Sequence, residues 1–169
     1  MYYTTTYNSP IAPILLASNG QNLVGAWFEG QKYYGSNIIS NAEIKNDLPV
    51  FDLARNWLDG YFNGEKPDIS LLPLAPVGSD FRMKVWKVLC DIPYGEYITY
   101  GDIAKKLNIN CSQAIGGAVG HNPISVIIPC HRVVGSNGSL TGYAGGIDKK
   151  IYLLELEGAN MSLLFTPNR

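Results

Sequence analysis

Ile124-Ser125-Val126-Ile127-Ile128-Pro129-Cys130-His131-Arg132-Val133 is the stretch on which the reading of this chain turns. An apolar run ends in a proline and delivers a thiol directly beside an imidazole. A run of this length predicts a buried strand that carries Cys130 to its end and holds it there. The thiolate, not the thiol, is the nucleophile, and a neighbouring imidazole can lower the thiol's pKa or accept its proton. A Cys-His dipeptide standing alone would more simply be a small core hydrophobe beside a surface histidine. The surrounding residues decide between the two.

Upstream, the chain reads as mostly helical. Ser79 or Asp80 can cap a helix with Phe81, Val85, Val88 and Leu89 on one face. Pro93-Tyr94-Gly95 ends that stretch. Thr99 can cap a helix from Tyr100 to Leu107, Asn108-Ile109-Asn110 makes a turn, and a second helix runs from Cys111 or Ser112 to Val119. Two short helices joined by a tight turn predict a helix-turn-helix. The second helix carries adjacent glycines, Gly116 and Gly117. Each costs about 1 kcal/mol relative to alanine. Either a neighbouring helix packs closely there, or a smooth face lets a nucleic-acid backbone approach.

The first half reads as a short sheet followed by a helix. Pro13–Ser18 and Leu23–Phe28 are strand-like, with the turn signal Asn19-Gly20 between them. Phe51, Ala54, Leu58 and Tyr61 follow helical spacing, and Gly60 and Asn63-Gly64 mark the helix end. Leu71 to Gly78, with two prolines and a glycine, is the expected linker. The expected fold class is α/β (α+β). A sheet-and-helix domain of structural role spans residues 1–75, and a mainly helical domain with the helix-turn-helix spans residues 76–169.

Composition narrows the function. Of 169 residues, 46% are hydrophobic and 16% charged, which fits a packed fold. No apolar run is long enough to cross a membrane, and the N-terminus lacks the basic and apolar regions of a signal peptide. Cys90, Cys111 and Cys130 are odd in number and widely spaced, so a reducing cytoplasm is expected rather than a disulfide framework. With only His121 and His131 and no CxxC, no metal site is expected. Residues 1–79 hold four Lys/Arg and seven Asp/Glu, a balance of −3, whereas residues 80–169 hold nine and seven, a balance of +2. The basic excess lies with Cys130 but is small, so salt-dependent DNA affinity should be modest.

Taken together, these residues resemble the O6-alkylguanine-DNA alkyltransferases, the methylated-DNA–protein-cysteine methyltransferases. The match runs through Ala114-Ile-Gly-Gly-Ala-Val119, Asn122-Pro123, Ile128-Pro-Cys-His-Arg-Val-Val134, Gly142-Tyr-Ala-Gly-Gly146, Lys150, Leu153-Leu154 and Glu157-Gly158. Phe81, Val85-Trp86, Ile92-Pro-Tyr-Gly95 and Thr99-Tyr100-Gly101 also fit. Spaced motifs in the right order over residues 81–158 are far more specific than the pentapeptide at Cys130 alone.

The resemblance implies a monomer that repairs double-stranded DNA containing O6-alkylguanine without a cofactor. A flipped base would give its alkyl group, once and irreversibly, to Cys130. His131 would deprotonate Cys130, in the family through an ordered water, and Glu157 would orient the imidazole. Tyr100 would donate to the flipped base, and Asn122 would brace the active-site turn. Pro129, Val133, Tyr143, Ala144 and Lys150 would form the base pocket. The family often has serine where Ala144 stands. Ser112, Gln113, Ala114, Gly117, Ala118 and Arg132 would contact DNA, with the second helix in the minor groove. Gln113 stands where the family usually carries an arginine that fills the gap left by the flipped base. O4-alkylthymine is a second expected substrate. Two other readings compete: a lesion-binding protein without efficient transfer, favoured by Gln113 but opposed by Cys130, and a cysteine hydrolase, which would leave the helix pair without a role.

Overall fold

The computed structural model describes residues 1–167, which fall into two units. One comprises Met1–Val77 with Pro123–Ile127, and the other comprises Gly78–Asn122 with the chain from Ile128 onward.

In the first unit, Tyr3–Asn8 (β1), Pro13–Ser18 (β2) and Leu23–Phe28 (β3) form an antiparallel meander. The β2–β3 turn is built by Asn19, whose Oδ1 accepts from the backbone N–H of Gln21 and Asn22. Glu43–Ile44 (β4) adds to β1 in parallel, giving the order β3-β2-β1-β4. Every residue of β3 is buried, so both faces of this strand are covered. Beyond β2, its other edge pairs with Leu74 and Ile124. The helix Pro49–Phe62 (α1) starts at a proline and buries Val50, Phe51, Ala54, Trp57, Leu58 and Tyr61. Gly60 lies inside this helix rather than at its end.

In the second unit, Ser79 caps Asp80–Cys90 (α2) by accepting from Arg82 N–H. Ile98–Thr99 (β5) leads into Tyr100–Leu107 (α3), whose start is a reciprocal capping box of Thr99 and Asp102. Asn108, at φ 57°, ends α3 in the left-handed conformation that asparagine tolerates. Four residues on, Ser112–Gly120 (α4) begins. Trp86 Nε1 on α2 donates to Ala118 O on α4 at 2.7 Å. Val133–Val134 (β6) pairs in parallel with β5, which ties the segment after Cys130 to the start of α3. Ile147–Leu156 (α5) ends just before Glu157.

Two expectations need correction. The run Ile124–Ile128 is buried but is not a strand. Only Ile124 makes a ladder contact: Ala26 N–H donates to Pro123 O, and Ser125 N–H donates to Ala26 O, each at 2.8 Å. The backbone then turns sharply. Ile127 N–H donates to Ser125 O around Val126, which sits at φ 70°, and Cys130 N–H donates to Ile128 O around Pro129. The same ladder contact places residues 123–127 with the first unit, whereas the whole of 76–169 was expected in one domain. The junction lies between Val77 and Gly78 rather than between residues 75 and 76.

Candidate active site

A single 3₁₀ turn, Cys130–Arg132, presents three consecutive candidate side chains, all buried. Its stability comes from what each side chain meets. Asn122 Nδ2 donates to Ile128 O at 2.8 Å, bracing the backbone two residues before Cys130. The Asn122 side chain also hydrogen-bonds Cys130 and favours the thiolate.

Burial pushes the Cys130 thiol up, and Asn122 and the positive charge of Lys150 pull against it. The net direction is upward, so the resting form is the thiol. Of the two effects open to a neighbouring imidazole, the structure favours proton acceptance over a standing thiolate. Burial lowers the proton affinity of His131 in turn, opposed by Glu157 and helped by Arg132 and Lys150. The imidazole is therefore neutral near neutral pH.

Glu157 fixes which nitrogen carries the proton. His131 Nε2 lies 2.6 Å from Glu157 Oε2. Burial alone would raise the Glu157 pKa, but hydrogen bonds from His131 and Arg132, together with the Arg132 charge, bring it down to about 2. An ionised carboxylate only accepts, so Nε2 must be the N–H. Nδ1 is then the basic nitrogen, and it is buried with no hydrogen-bond partner among the described residues.

Arg132 corrects the sequence reading. It was expected to contact DNA, yet it is buried, with Nε and Nη2 donating to Glu157 at 2.7 and 3.0 Å and Nη1 donating to Ile92 O at 2.7 Å. The signal was present in the sequence. A lone cation amid Ile124–Val134 must find a counter-charge if that segment is buried. Gly95 was also missed as a contributor: its N–H donates to Glu157 Oε1 at 3.2 Å. Gly95 sits at φ 83°, and a Cβ there would meet Glu157 O at 3.0 Å.

A groove of about 400 Å³ is lined by Tyr100, Ser112, Gln113, Gly116, Thr141 and Gly142. Tyr100 Oη donates to Thr141 O at 3.3 Å, and burial followed by the nearby Cys130 charge pushes its pKa up to about 12. It stays a hydroxyl donor. Lys150 Nζ donates to the same carbonyl at 2.9 Å. Pro129, Val133, Tyr143 and Lys150 are buried, and Ala144 is half-buried. None of these five lines the groove. Tyr143 Oη is buried with no hydrogen-bond partner among the described residues, and burial first, then Cys130 and Glu157, raises its pKa well above the ordinary value.

On α4, Ser112, Gln113, Ala114 and Gly117 are exposed. Ala118 is not: it is 2% exposed and faces the core beside Trp86, which corrects its expected place at DNA. The close-packing reading of the two glycines also fails, because a Cβ on Gly116 or Gly117 would meet nothing within 4 Å among the described residues. No group of three or more His, Cys, Asp or Glu among the described residues could hold a metal ion.

Residues 1–76 match the ribonuclease-like domain of 6-O-methylguanine DNA methyltransferase, and residues 80–159 match its DNA-binding domain. A methylated-DNA–protein-cysteine methyltransferase of Methanosarcina acetivorans is 45% identical over 161 residues, covering 94% of this chain and 99% of its own. The Haemophilus influenzae protein of the same name is 42% identical over 156 residues, covering 92% of this chain and 86% of its own. The crystal structure of Mycobacterium tuberculosis O6-methylguanine methyltransferase superposes with a TM-score of 0.83 at 42% identity, covering 94% of this chain and 93% of that one. The same organism's protein in complex with DNA gives 0.81 at 41% identity, covering 93% and 92%. The chain belongs to the 6-O-methylguanine DNA methyltransferase family, and its enzyme class is methylated-DNA–protein-cysteine S-methyltransferase.

Proposed function

We propose that this protein binds duplex DNA through the face of α4, takes a flipped O6-alkylguanine into the groove beside Tyr100, and moves the alkyl group to Cys130. The observation that carries this reading is the buried Cys130–His131–Glu157 arrangement, with Nδ1 of a neutral imidazole left as a base. Nδ1 and the Cys130 sulfur share no hydrogen bond, so the Cys130 proton passes to His131 Nδ1 by way of one water, and Lys150 and Asn122 stabilise the thiolate that results. Sulfur then forms a bond to the alkyl carbon as the carbon–O6 bond breaks, and its electrons pass to the guanine. Tyr100, still a hydroxyl, donates to the leaving base. The product is a thioether with no easy leaving group, so each molecule reacts once. O4-alkylthymine presents the same alkyl–oxygen bond and is the second substrate in this reading.

The exposed stretch Ser112, Gln113, Ala114 and Gly117 supports α4 as the minor-groove helix of a helix-turn-helix. The DNA complex of the Mycobacterium tuberculosis relative supports duplex DNA as the partner. Three free cysteines agree with a reducing cytoplasm, and the protein acts as a monomer.

Intact mass after incubation with benzylated guanine base, and separately with an O6-methylguanine duplex, tests the reading. One benzyl or methyl group per molecule, mapped to Cys130 and absent from Cys130→Ser, is the expected result. Label on Cys90 or Cys111, or repeated turnover, would defeat it. Binding of the methylated duplex without any mass gain would favour a lesion-binding protein instead.

A further inference from the structure

We propose that Arg132 is a positioning residue that sets the protonation state of His131, by holding Glu157 at both oxygens and keeping a fixed positive charge beside the imidazole. The inference rests on reading Cys130 as the alkyl acceptor and His131 as its base.

The geometry is that of a carboxylate with its acceptor capacity filled. Glu157 Oε1 accepts from Arg132 Nε at 2.7 Å and Gly95 N–H at 3.2 Å. Oε2 accepts from Arg132 Nη2 at 3.0 Å and His131 Nε2 at 2.6 Å. The guanidinium is itself immobilised. Its remaining branch donates to Ile92 O, and its carbon lies 5.7 Å from the centre of the Tyr94 ring. Of the groups in this cluster, His131 is fully buried and Glu157 nearly so.

Charge counting then gives the consequence. With Arg132 present, the Glu157–Arg132 pair is neutral. A second proton on His131 would create a buried imidazolium with no free anion to balance it, which burial strongly disfavours. Without Arg132, Glu157 would carry an uncompensated negative charge. Imidazolium and carboxylate would then form the neutral pair. Such an imidazolium has no lone pair on Nδ1 and cannot take the Cys130 proton. The other groups facing this cluster do not substitute for Arg132. Lys150 is a cation that acts on His131 in the same direction as Arg132, but its hydrogen bond goes to Thr141 O rather than to Glu157. Tyr143 and Tyr94 are neutral hydroxyls held protonated, and Cys130 rests as a thiol.

The test is the pH profile of single-turnover transfer from benzylated guanine between pH 5 and 8.5, for wild type, Arg132→Gln and Arg132→Lys. Glutamine keeps a donor but removes the charge, whereas lysine keeps the charge but loses the fork. For Arg132→Gln, the deficit relative to wild type should grow roughly tenfold between pH 8 and pH 5.5, which corresponds to an acid limb moved up by about one pH unit. The lysine variant should keep the wild-type shape. Imidazole ¹⁵N signals give an independent readout: neutral Nε2–H tautomer in wild type at pH 6, and imidazolium in Arg132→Gln. A deficit that is the same at every pH, with a neutral imidazole in the glutamine variant, overturns the inference and leaves Arg132 a structural residue. If circular dichroism shows Arg132→Gln unfolded, the lysine variant decides: an unmoved acid limb supports the charge role, and a limb moved by a full unit overturns it. Absence of any Cys130 adduct in wild type would instead mean that the underlying reading of the site is wrong.

Discussion

Lys150 is a cation with its whole side chain out of water and a hydrogen bond to Thr141 O. Burial lowers its pKa from 10.5 to about 8, and the Cys130 charge pulls it back up. A lysine whose folded pKa is depressed costs stability wherever both states carry the proton, below about pH 8, and the cost disappears as pH rises toward 10.5. The drop corresponds to roughly 3 kcal/mol. Losing the bond to Thr141 O offsets about 1 kcal/mol of that. Lys150→Met should therefore be about 2 kcal/mol more stable than wild type at pH 7, and the gap should close between pH 8 and 10.5. Alkyl transfer should slow, because the thiolate loses its cation. Denaturant melts at several pH values check this; a variant less stable at pH 7, or a gap that does not narrow, contradicts it. At this scale the sequence was legible where motif order identified a residue: Cys130, His131, Glu157 and Asn122 come together in one cluster. It was misleading for Arg132, because a basic residue beside a proposed DNA site reads as a DNA contact until burial assigns it a carboxylate.

Helix α4 carries two predictions. Gly116 and Gly117 lie where an added methyl would touch nothing among the described residues, so alanine should stabilise the helix by up to about 1 kcal/mol per site. If the smooth face serves DNA, the same changes should weaken duplex binding. Melting temperature and duplex affinity, measured on Gly116→Ala and Gly117→Ala, should move in opposite directions. Affinity unchanged in both would leave the glycines without a role at DNA. Gln113, exposed at the groove, makes the second. Gln113→Arg should accelerate repair of duplex more than reaction with free benzylated guanine, because only the duplex requires flipping. A charge-assisted contact in place of a neutral one suggests a gain of about 1 kcal/mol. Equal acceleration on both substrates would place Gln113 in the chemistry instead.

The helices were legible as elements because their caps are local: Ser79 and Thr99 could be read directly. The run before Cys130 was not. Apolar length predicts burial, which is correct, but not hydrogen-bond pattern. Only Ile124 meets an edge of β3, and the backbone then closes two tight turns. The strands β1, β4, β5 and β6 were missed for a related reason. β1 is rich in threonine and tyrosine rather than alternating cleanly, and the other three are two residues long.

For the molecule as a whole, reaction should also be a change of stability. Cys130 is 5% exposed, in a turn braced by Asn122. Even one methyl group forced into a packed site costs about 1–3 kcal/mol. The alkylated protein should melt several degrees lower than the unreacted one. Calorimetry before and after one equivalent of substrate checks this, with Cys130→Ser treated identically as control. An unchanged melting temperature would mean that the site has room for the product.

The path of the backbone through residues 123–127 bears on how this polypeptide could be divided. A fragment beginning at Gly78 would expose Ile124, Val126 and Ile127, buried in the whole chain, without the β3 partner of Ile124. A fragment ending at Val77 would leave the N–H and C=O of Ala26 without the partners they have here. Neither piece keeps all the backbone partners it has in the whole chain. A protease nick between Val77 and Gly78 would leave the first unit assembled from two polypeptides, as in fragment complementation.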